Sequence, residues 1–364
     1  MTIRAAAQVV ISLIAGKIFR QSRILTIMKV GTIILIGSFF MNSLAHTLIE
    51  FYLISILLSI AMALITILPI SIILSNWFQT GRGSALGLAF MGSGVGGMIL
   101  SALTGVWIEA YGWRAAYRIL SVLMVVFVIP SVFLIIKVKP EDVGLAAIGA
   151  HEGGEAVHQV GEIKGLTLNE AMRTPTFWAL NFAAILLTIA INGLMLNVAP
   201  HLSNIGYSIT FSANIVALTM GSLALGKFFL GKLFDKAGIQ ASVVIASSAN
   251  ILALIGLSFA TSYFGLGLTI LFVGVGCAFA TIAPSVLSIE LYGRKDYNAI
   301  FGVMTAIGSL GSVLGPIITG VMYDASGDYY SSFKLSITFS VIALILYLSI
   351  FLRQNRRHQV ETIS

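Results

Sequence analysis

Long apolar runs alternate with short polar connections along almost the whole chain. Eleven runs stand out, near residues 1–19, 24–46, 48–75, 84–108, 117–138, 176–200, 211–234, 241–262, 264–290, 299–323 and 333–352. Each holds roughly 18 to 28 residues, enough at a 1.5 Å rise to cross about 30 Å of hydrocarbon. They are too long and too uniform for barrel strands. Lipid offers no partner to an unpaired backbone group, so the pattern predicts helices. The one long polar stretch, 139–175, includes Glu152-Gly153-Gly154-Glu155 and is expected to link two helix bundles. Within it, Thr167-x-x-Glu170 has the spacing of a capping box that would open a short surface helix. The first half of that stretch reads equally well as a plain linker.

Composition narrows the class. The 364 residues are 58% hydrophobic and 10% charged, against about a quarter charged in soluble domains. A soluble fold could not cover such a surface, so the chain reads as an all-α polytopic membrane protein. The net charge of +7 would suit nucleic acid in a soluble protein, but here the basic residues sit in the connections. One set of connections holds Lys17, Arg20 and Arg23; Arg82; Lys137, Lys139, Lys164 and Arg173; Lys232 and Lys236; Arg294 and Lys295; and Arg353, Arg356 and Arg357. The opposite set holds little beyond Arg114, Arg118 and Lys334. The basic side is expected to face the cytoplasm. That places the C-terminus inside, residue 1 outside, and the whole chain in a plasma membrane as a multi-pass protein. No nucleic-acid partner is expected. The single cysteine, Cys277, lies inside an apolar run and reads as a packed thiol with no disulfide. No cleavable signal peptide is visible before the first run.

The chain also repeats itself at an offset of 215 residues. Gly16-Lys17-Ile18-Phe19 matches Gly231-Lys232-Leu233-Phe234, Thr66-Ile67-Leu68-Pro69 matches Thr281-Ile282-Ala283-Pro284, and Thr104-Gly105-Val106 matches Thr319-Gly320-Val321. Gly87, Gly96 and Gly112 pair with Gly302, Gly311 and Gly327 in the same register. Two copies of one bundle are expected, 1–138 and 176–352, followed by a tail at 353–364. Such duplication is typical of alternating-access transporters. The second copy has six runs and the first five, because the partner of 176–200 would precede residue 1. Either the true start lies upstream, or the chain is truncated, or a separate first span assembles with it.

Two bundles, a polar central loop and paired Gly-Lys-x-Phe loops resemble the major facilitator superfamily. The fold implied is its two-bundle fold, here with eleven visible spans of a twelve-span parent. The signature loop reads Gly231-Lys232-Leu233-Phe234-Asp235-Lys236-Ala237-Gly238 in the second half. In the first it reads Gly16-Lys17-Ile18-Phe19-Arg20, with Arg20 where the family places an acid that latches the cytoplasmic side. Finer motifs resemble the oxalate/formate antiporter and monocarboxylate porter branch. They are Trp77-Phe78 with Arg82-Gly83-x-Ala85-x-Gly87; Gly92-x-Gly94-x-Gly96-Gly97; Tyr111-Gly112-Trp113-Arg114; Lys139-Pro140-Glu141-Asp142-x-Gly144-Leu145; and Arg173-Thr174-Pro175-x-Phe177-Trp178. The resemblance implies gating loops built from Gly16, Lys17, Arg20, Gly231, Lys232, Asp235, Lys236 and Arg82.

Charges deep in a span are functional candidates by default. Lys227, one turn before Gly231, is the clearest. In the branch it resembles, a basic residue at this place binds the substrate carboxylate, and an ammonium in a low-dielectric cavity favours an anion. The competing reading has Lys227 snorkel to the interface. Porters of this branch carry an aspartate one turn earlier; here that residue is Leu223. Glu50, Glu109, Glu290 and Asp324 fall near span ends, so no proton-relaying carboxylate is evident. Exchange, or carriage of the substrate's own proton, fits better. The run 299–323 has no lysine or arginine, which favours a monoanion over oxalate. Cavity-lining positions of the family nominate Thr66, Thr281 and Asn192, with Ser12 and Gln8 behind them. Each has a structural alternative: the threonines can satisfy carbonyls freed by Pro69 and Pro284, and Asn192 can bond a neighbouring helix. The glycine runs 92–97 and 308–315 read as close helix packing rather than a phosphate loop.

The expected function is secondary transport of a small organic anion such as a monocarboxylate, by one chain acting as a monomer. No cofactor and no metal are implied. Multidrug or other small-molecule export within the same superfamily is the alternative, as is a non-functional truncated fragment. An enzyme is not expected. His46, His151, His158, His201 and His358 lie in loops or at span ends, with no HExxH pair and no serine–histidine pairing.

Overall fold

The computed structural model describes residues 24–149 and 165–361. The run at 1–19, and with it Gly16, Lys17 and Arg20, lies outside the described residues. Eleven α-helices follow one another: α1 Ile24–Asn42, α2 Leu48–Ile65, α3 Ile67–Trp77, α4 Arg82–Pro130, α5 Leu168–Met172, α6 Pro175–Met195, α7 Val198–Asn204, α8 Ile209–Ser258, α9 Tyr263–Tyr292, α10 Tyr297–Ser326 and α11 Tyr330–Glu361. A π turn, Ser131–Ile135, continues α4. Among the described residues the only strand-like pairings are two isolated bridges.

Nine stretches of the described residues are long and apolar enough to cross a bilayer. One of them is α8, whose 50 residues would run about 75 Å, more than twice the hydrocarbon thickness. Gly238 interrupts it with φ 77 and ψ 176, so two helices meet there and α8 supplies two crossings. Each run expected from 24–46 onward therefore has its helix. The connection after Gly231 stays helical as far as Ala237 and turns only at Gly238, where a loop was expected from the signature. Gly112 breaks α4 in the same way at φ 79, and its repeat partner Gly327 has φ 74. The duplication thus reaches the backbone conformation. Left-handed φ of this kind suits glycine, which lacks the Cβ that would clash. The two copies diverge at the Thr-Ile-x-Pro sites. The first copy is broken between α2 and α3 at Thr66 (φ −99, ψ −119), whereas α9 passes through Pro284 without a break.

The polar connection is anchored at both ends. Ile148 N–H donates to the Trp77 carbonyl at 2.8 Å, and Leu166 N–H donates to the Tyr292 carbonyl at 2.8 Å. Trp77 and Tyr292 occupy the same position of the repeat. The expected capping box is present: Thr167 Oγ1 accepts from Glu170 N–H at 3.3 Å, and Glu170 Oε2 accepts from Thr167 N–H at 2.7 Å. It opens the one-turn α5.

The chain groups into two compact units. One takes residues up to Arg82, Gly97–Gly165 and Gly293–Ala306; the other takes Gly83–Gly96, Leu166–Tyr292 and Ile307 onward. In the first, α1 packs along α2. Arg114 Nη2 donates to the Ala45 carbonyl at 3.1 Å, and Arg118 Nε donates to Ser43 Oγ at 3.4 Å. The two arginines that break the charge pattern therefore tie down the turn that follows α1. In the second, α8 packs along α9, and α11 packs on α6 and α8. A side chain at Gly226 would strike the Gly274 backbone, and one at Gly276 would meet Asn250 N at 2.6 Å. Small residues let these backbones approach, as lipid-embedded helices require. Asn250 Nδ2 donates to Ser340 Oγ at 3.0 Å across this core.

His201, at the start of the turn after α6, sits in α7 and is fully buried. Its ring meets Phe333, Tyr330 and Tyr329 edge-on at 4.9, 5.4 and 5.9 Å between centroids. Neither ring nitrogen has a hydrogen-bond partner among the described residues. Burial pushes its pKa below the ordinary histidine value, while the Leu257 backbone and the Asp328 carboxylate pull more weakly the other way. The native ring is therefore neutral. The unfolded chain takes up a proton near about pH 6.5, so this contribution to stability is complete above that value and is lost as pH falls through the folded pKa. Thermal unfolding of the detergent-solubilised protein should show a midpoint that drops from about pH 7 to about pH 5. His201→Gln should flatten that slope; an unaltered slope would place the acid sensitivity elsewhere.

Candidate substrate-binding and gating site

The site assembles where the first turns of α4 meet α8, within the second unit. Helix α4 begins after Gly81, whose φ of 68 needs glycine and which has no side chain to cap the helix. The first amide groups of a helix lack internal partners. Here Asp235 of α8 supplies them: Gly83 N–H donates to Oδ1 at 2.8 Å and Ser84 N–H to Oδ2 at 2.6 Å. A carboxylate at this end also complements the positive pole of the helix.

Glycine makes the approach possible. A Cβ on Gly83 would strike the Gly231 carbonyl, and one on Gly231 would strike the Gly83 carbonyl. Further along, a Cβ on Gly87 would strike the Lys227 carbonyl, and one on Gly94 would come within 2.8–2.9 Å of Ala224 backbone atoms. The two helices cross backbone to backbone over Gly83, Gly87 and Gly94.

This crossing decides where Lys227 ends. The residue is only 6% exposed. Its ammonium donates to Ser93 Oγ at 2.7 Å, and the Ser93 hydroxyl donates onward to the Phe90 carbonyl at 2.8 Å. Cys277 of α9, itself buried, is its titratable neighbour. No carboxylate of the described residues pairs with it. The geometry is that of an inward lysine rather than one snorkelling to an interface. An ammonium has three donors, and the described residues occupy one.

The other nominated residues are engaged differently. Thr66 Oγ1 donates to the Met62 carbonyl at 2.6 Å, beside the break that Pro69 imposes. Asn192 Nδ2 donates to the Thr188 carbonyl at 3.0 Å and to Ser312 Oγ on α10 at 3.2 Å. Thr281 is half-buried on α9, one turn beyond Cys277. No hydrogen bond among the described residues joins any two of Lys227, Thr66, Thr281 and Asn192. Of the gating set, Gly231 and Asp235 form the crossing just described. Lys232 is exposed, with its ammonium 4.4 Å from the Phe228 ring centre. Lys236 is exposed, and Arg82 Nη2 reaches the Phe78 carbonyl at 3.4 Å. The glycine runs divide. Gly94 packs on Ala224, and Gly311 and Gly315 pack on α6 backbone at Ile185 and Ile189. Side chains at Gly92, Gly96, Gly97 and Gly308 would meet none of the described residues within 4 Å.

Two residues escaped sequence reasoning. Ser93 was hidden in a glycine run read only as packing; a hydroxyl among glycines in a membrane helix was the available signal. Lys29 of α1 lies inside a span, its ammonium 5.2 Å from the Phe133 ring centre. Among the described residues no group of three or more His, Cys, Asp or Glu could hold a metal.

The family model of the Major Facilitator Superfamily matches residues 1–289 and again 251–363. The chain belongs to this superfamily. Its members are transporters rather than enzymes. Together with the apolar helices, membership makes it an integral multi-pass membrane protein. The E. coli fucose:proton symporter FucP has the same fold, with a TM-score of 0.69 at 15% identity over 96% of this chain and 90% of that one. Monocarboxylate transporter 13 of Bos taurus is 23% identical over 296 residues, 81% of this chain and 66% of that protein. The riboflavin transporter RibJ of Trypanosoma cruzi is 36% identical over 67 residues, 18% of this chain and 14% of that protein. The chain thus matches a small part of the riboflavin transporter and about two-thirds of the monocarboxylate transporter.

Removing the Asp235 carboxylate should release the start of α4. Asp235→Ala is expected to cost about 1 kcal/mol, the usual worth of a helix N-cap. Hydrogen exchange at the amides of Gly83 and Ser84 should quicken, while amides deeper in α4 keep their protection. Unchanged exchange at those two amides would show that the carboxylate does not cap the helix.

Proposed function

We propose that this protein is an alternating-access transporter of a small organic monoanion, with Lys227 as the residue that receives the carboxylate. The observation that carries the reading is a buried ammonium held by one neutral hydroxyl, without a carboxylate partner among the described residues. A buried cation is costly unless it is paired, and an anionic cargo supplies the missing charge. The 23% identity to a monocarboxylate transporter and the motifs around Trp77, Arg82 and Arg173 support it. A single such cation suits a monocarboxylate better than oxalate. With Leu223 one turn before Lys227 and no carboxylate beside it among the described residues, coupling by exchange fits better than a proton relay. Asp235, Gly231 and the basic loop residues Lys232, Lys236 and Arg82 serve as the gate, and Thr66, Thr281 and Asn192 line the path. In this reading 1–138 and 176–352 are the two moving bundles and 139–175 links them. The chain works as a monomer in the plasma membrane with its basic loops and C-terminus in the cytoplasm.

The test is uptake of labelled formate, lactate and oxalate into proteoliposomes. Formate or lactate should accumulate and oxalate should not. Lys227→Ala should lower uptake by about a hundredfold, the scale for stripping a charged partner from a buried anion contact, and Lys227→Arg should retain part of it. Wild-type activity that survives Lys227→Ala would remove the anion assignment. If the wild type moves none of the three while folded, the carboxylate reading falls and apolar or cationic drugs become the substrates to try.

A further inference from the structure

The bond that holds Lys227 joins two helices. Ser93 belongs to α4 and Lys227 to α8, and their 2.7 Å bond fastens the pair. It is the second fastening across the same crossing; the first is Asp235 on Gly83 and Ser84. Between the two lies the close contact at Gly87, with those at Gly83 and Gly94 at either end. Because the Ser93 hydroxyl spends its proton on the Phe90 carbonyl, its oxygen faces the ammonium purely as an acceptor. Among the described residues Ser93 is exposed whereas Lys227 is buried, so the serine side of the pair is the less enclosed one.

We infer that Ser93 is a stand-in for the substrate: its hydroxyl holds Lys227 while the carrier is empty, and the incoming carboxylate takes the ammonium away and unfastens α4 from α8. This rests on the anion reading of Lys227 and adds to it a positioning residue and a reason for exchange. A carboxylate is a stronger acceptor of a charged donor than a neutral hydroxyl, so the anion wins the ammonium once it arrives. The α4–α8 crossing then keeps only the Asp235 fastening. Rearrangement of such helices is what an alternating-access cycle requires. The empty carrier, with both fastenings closed, rearranges slowly; the loaded carrier, with one, rearranges faster. Slow return of the empty form and fast return of the loaded form are the conditions for exchange. Specificity follows as well, since a neutral solute cannot draw the ammonium from Ser93.

The experiment compares wild type, Ser93→Ala and Ser93→Thr in proteoliposomes, using whichever of formate and lactate the wild type carries. Two quantities are read: the KM for exchange, and the ratio of net efflux into anion-free buffer to exchange. Ser93→Ala removes the competitor, so KM should fall and the ratio rise, each by about tenfold on the scale of one charged hydrogen bond. Ser93→Thr keeps the hydroxyl and should behave as wild type. A higher KM in Ser93→Ala, with the ratio unmoved, would make Ser93 a direct ligand of the anion and overturn the stand-in role. No change in either quantity would overturn it too. Loss of transport in Lys227→Ala together with an inert Ser93→Ala would sink this inference and leave the anion reading standing. Full transport in Lys227→Ala, or no carboxylate transport by the wild type, would sink both.

Discussion

A peptide group in hydrocarbon has no water to bond, and the rest of the structure depends on that constraint. It makes every long run a helix. It then moves the difficulty to helix ends and breaks, where amides and carbonyls lose their internal partners. Several such places among the described residues carry their own remedy. Asp235 serves the amides that follow Gly81, and Arg114 serves the Ala45 carbonyl in the turn after α1. Ile148 and Leu166 each donate to the last turn of a helix, at Trp77 and Tyr292. The polar connection is therefore more than a tether, because its two ends finish two helices at the same place of the repeat.

The same solvent explains the glycines. Between helices in lipid no hydrophobic gain favours contact, so close packing and bonds between helices take over. Glycine shortens the distance enough for a carboxylate on one helix to reach amides on another, and for a lysine to reach a serine. Gly83, Gly87, Gly94 and Gly231 are thus part of the site although they carry no chemistry. They set the separation at which Asp235 and Lys227 act.

Much of this could be read from the sequence, and the rest fails for identifiable reasons. Helix positions followed from run length alone, since lipid leaves one permitted structure. The capping box at Thr167 and Glu170 was visible because local chemistry sets it, and Gly112 and Gly327 were visible as a matched pair of the repeat though not as turns. Lys227 stood out because a charge in an apolar run is conspicuous. Its partner did not: Ser93 lies 134 residues away, and serine in a small-residue run looks like packing. Asn192 and Thr66 were nominated as path-lining by family position, yet their bonds are to Ser312 and Met62. Periodicity shows which residues share a helix, not which helix they will face. The end of α8's first crossing was misplaced because the signature loop is helical, and only Gly238 turns the chain.

The repeat shows how one pairing can be kept while its chemistry is redistributed. In the second copy the loop carries the acid, Asp235, and the helix it serves starts at a bare Gly81. At the same offset the first copy carries Arg20 in the loop, and the matching helix, α10, starts after Asp296. A glycine cannot cap a helix with its side chain, so α4 depends on an acid supplied from elsewhere in the chain. In the first copy the sequence puts an aspartate directly before the matching helix and an arginine at the loop position. The copies therefore agree in their glycine turns but differ in where the acid sits along the chain, and α4 takes from a neighbouring helix the carboxylate that its own start cannot supply.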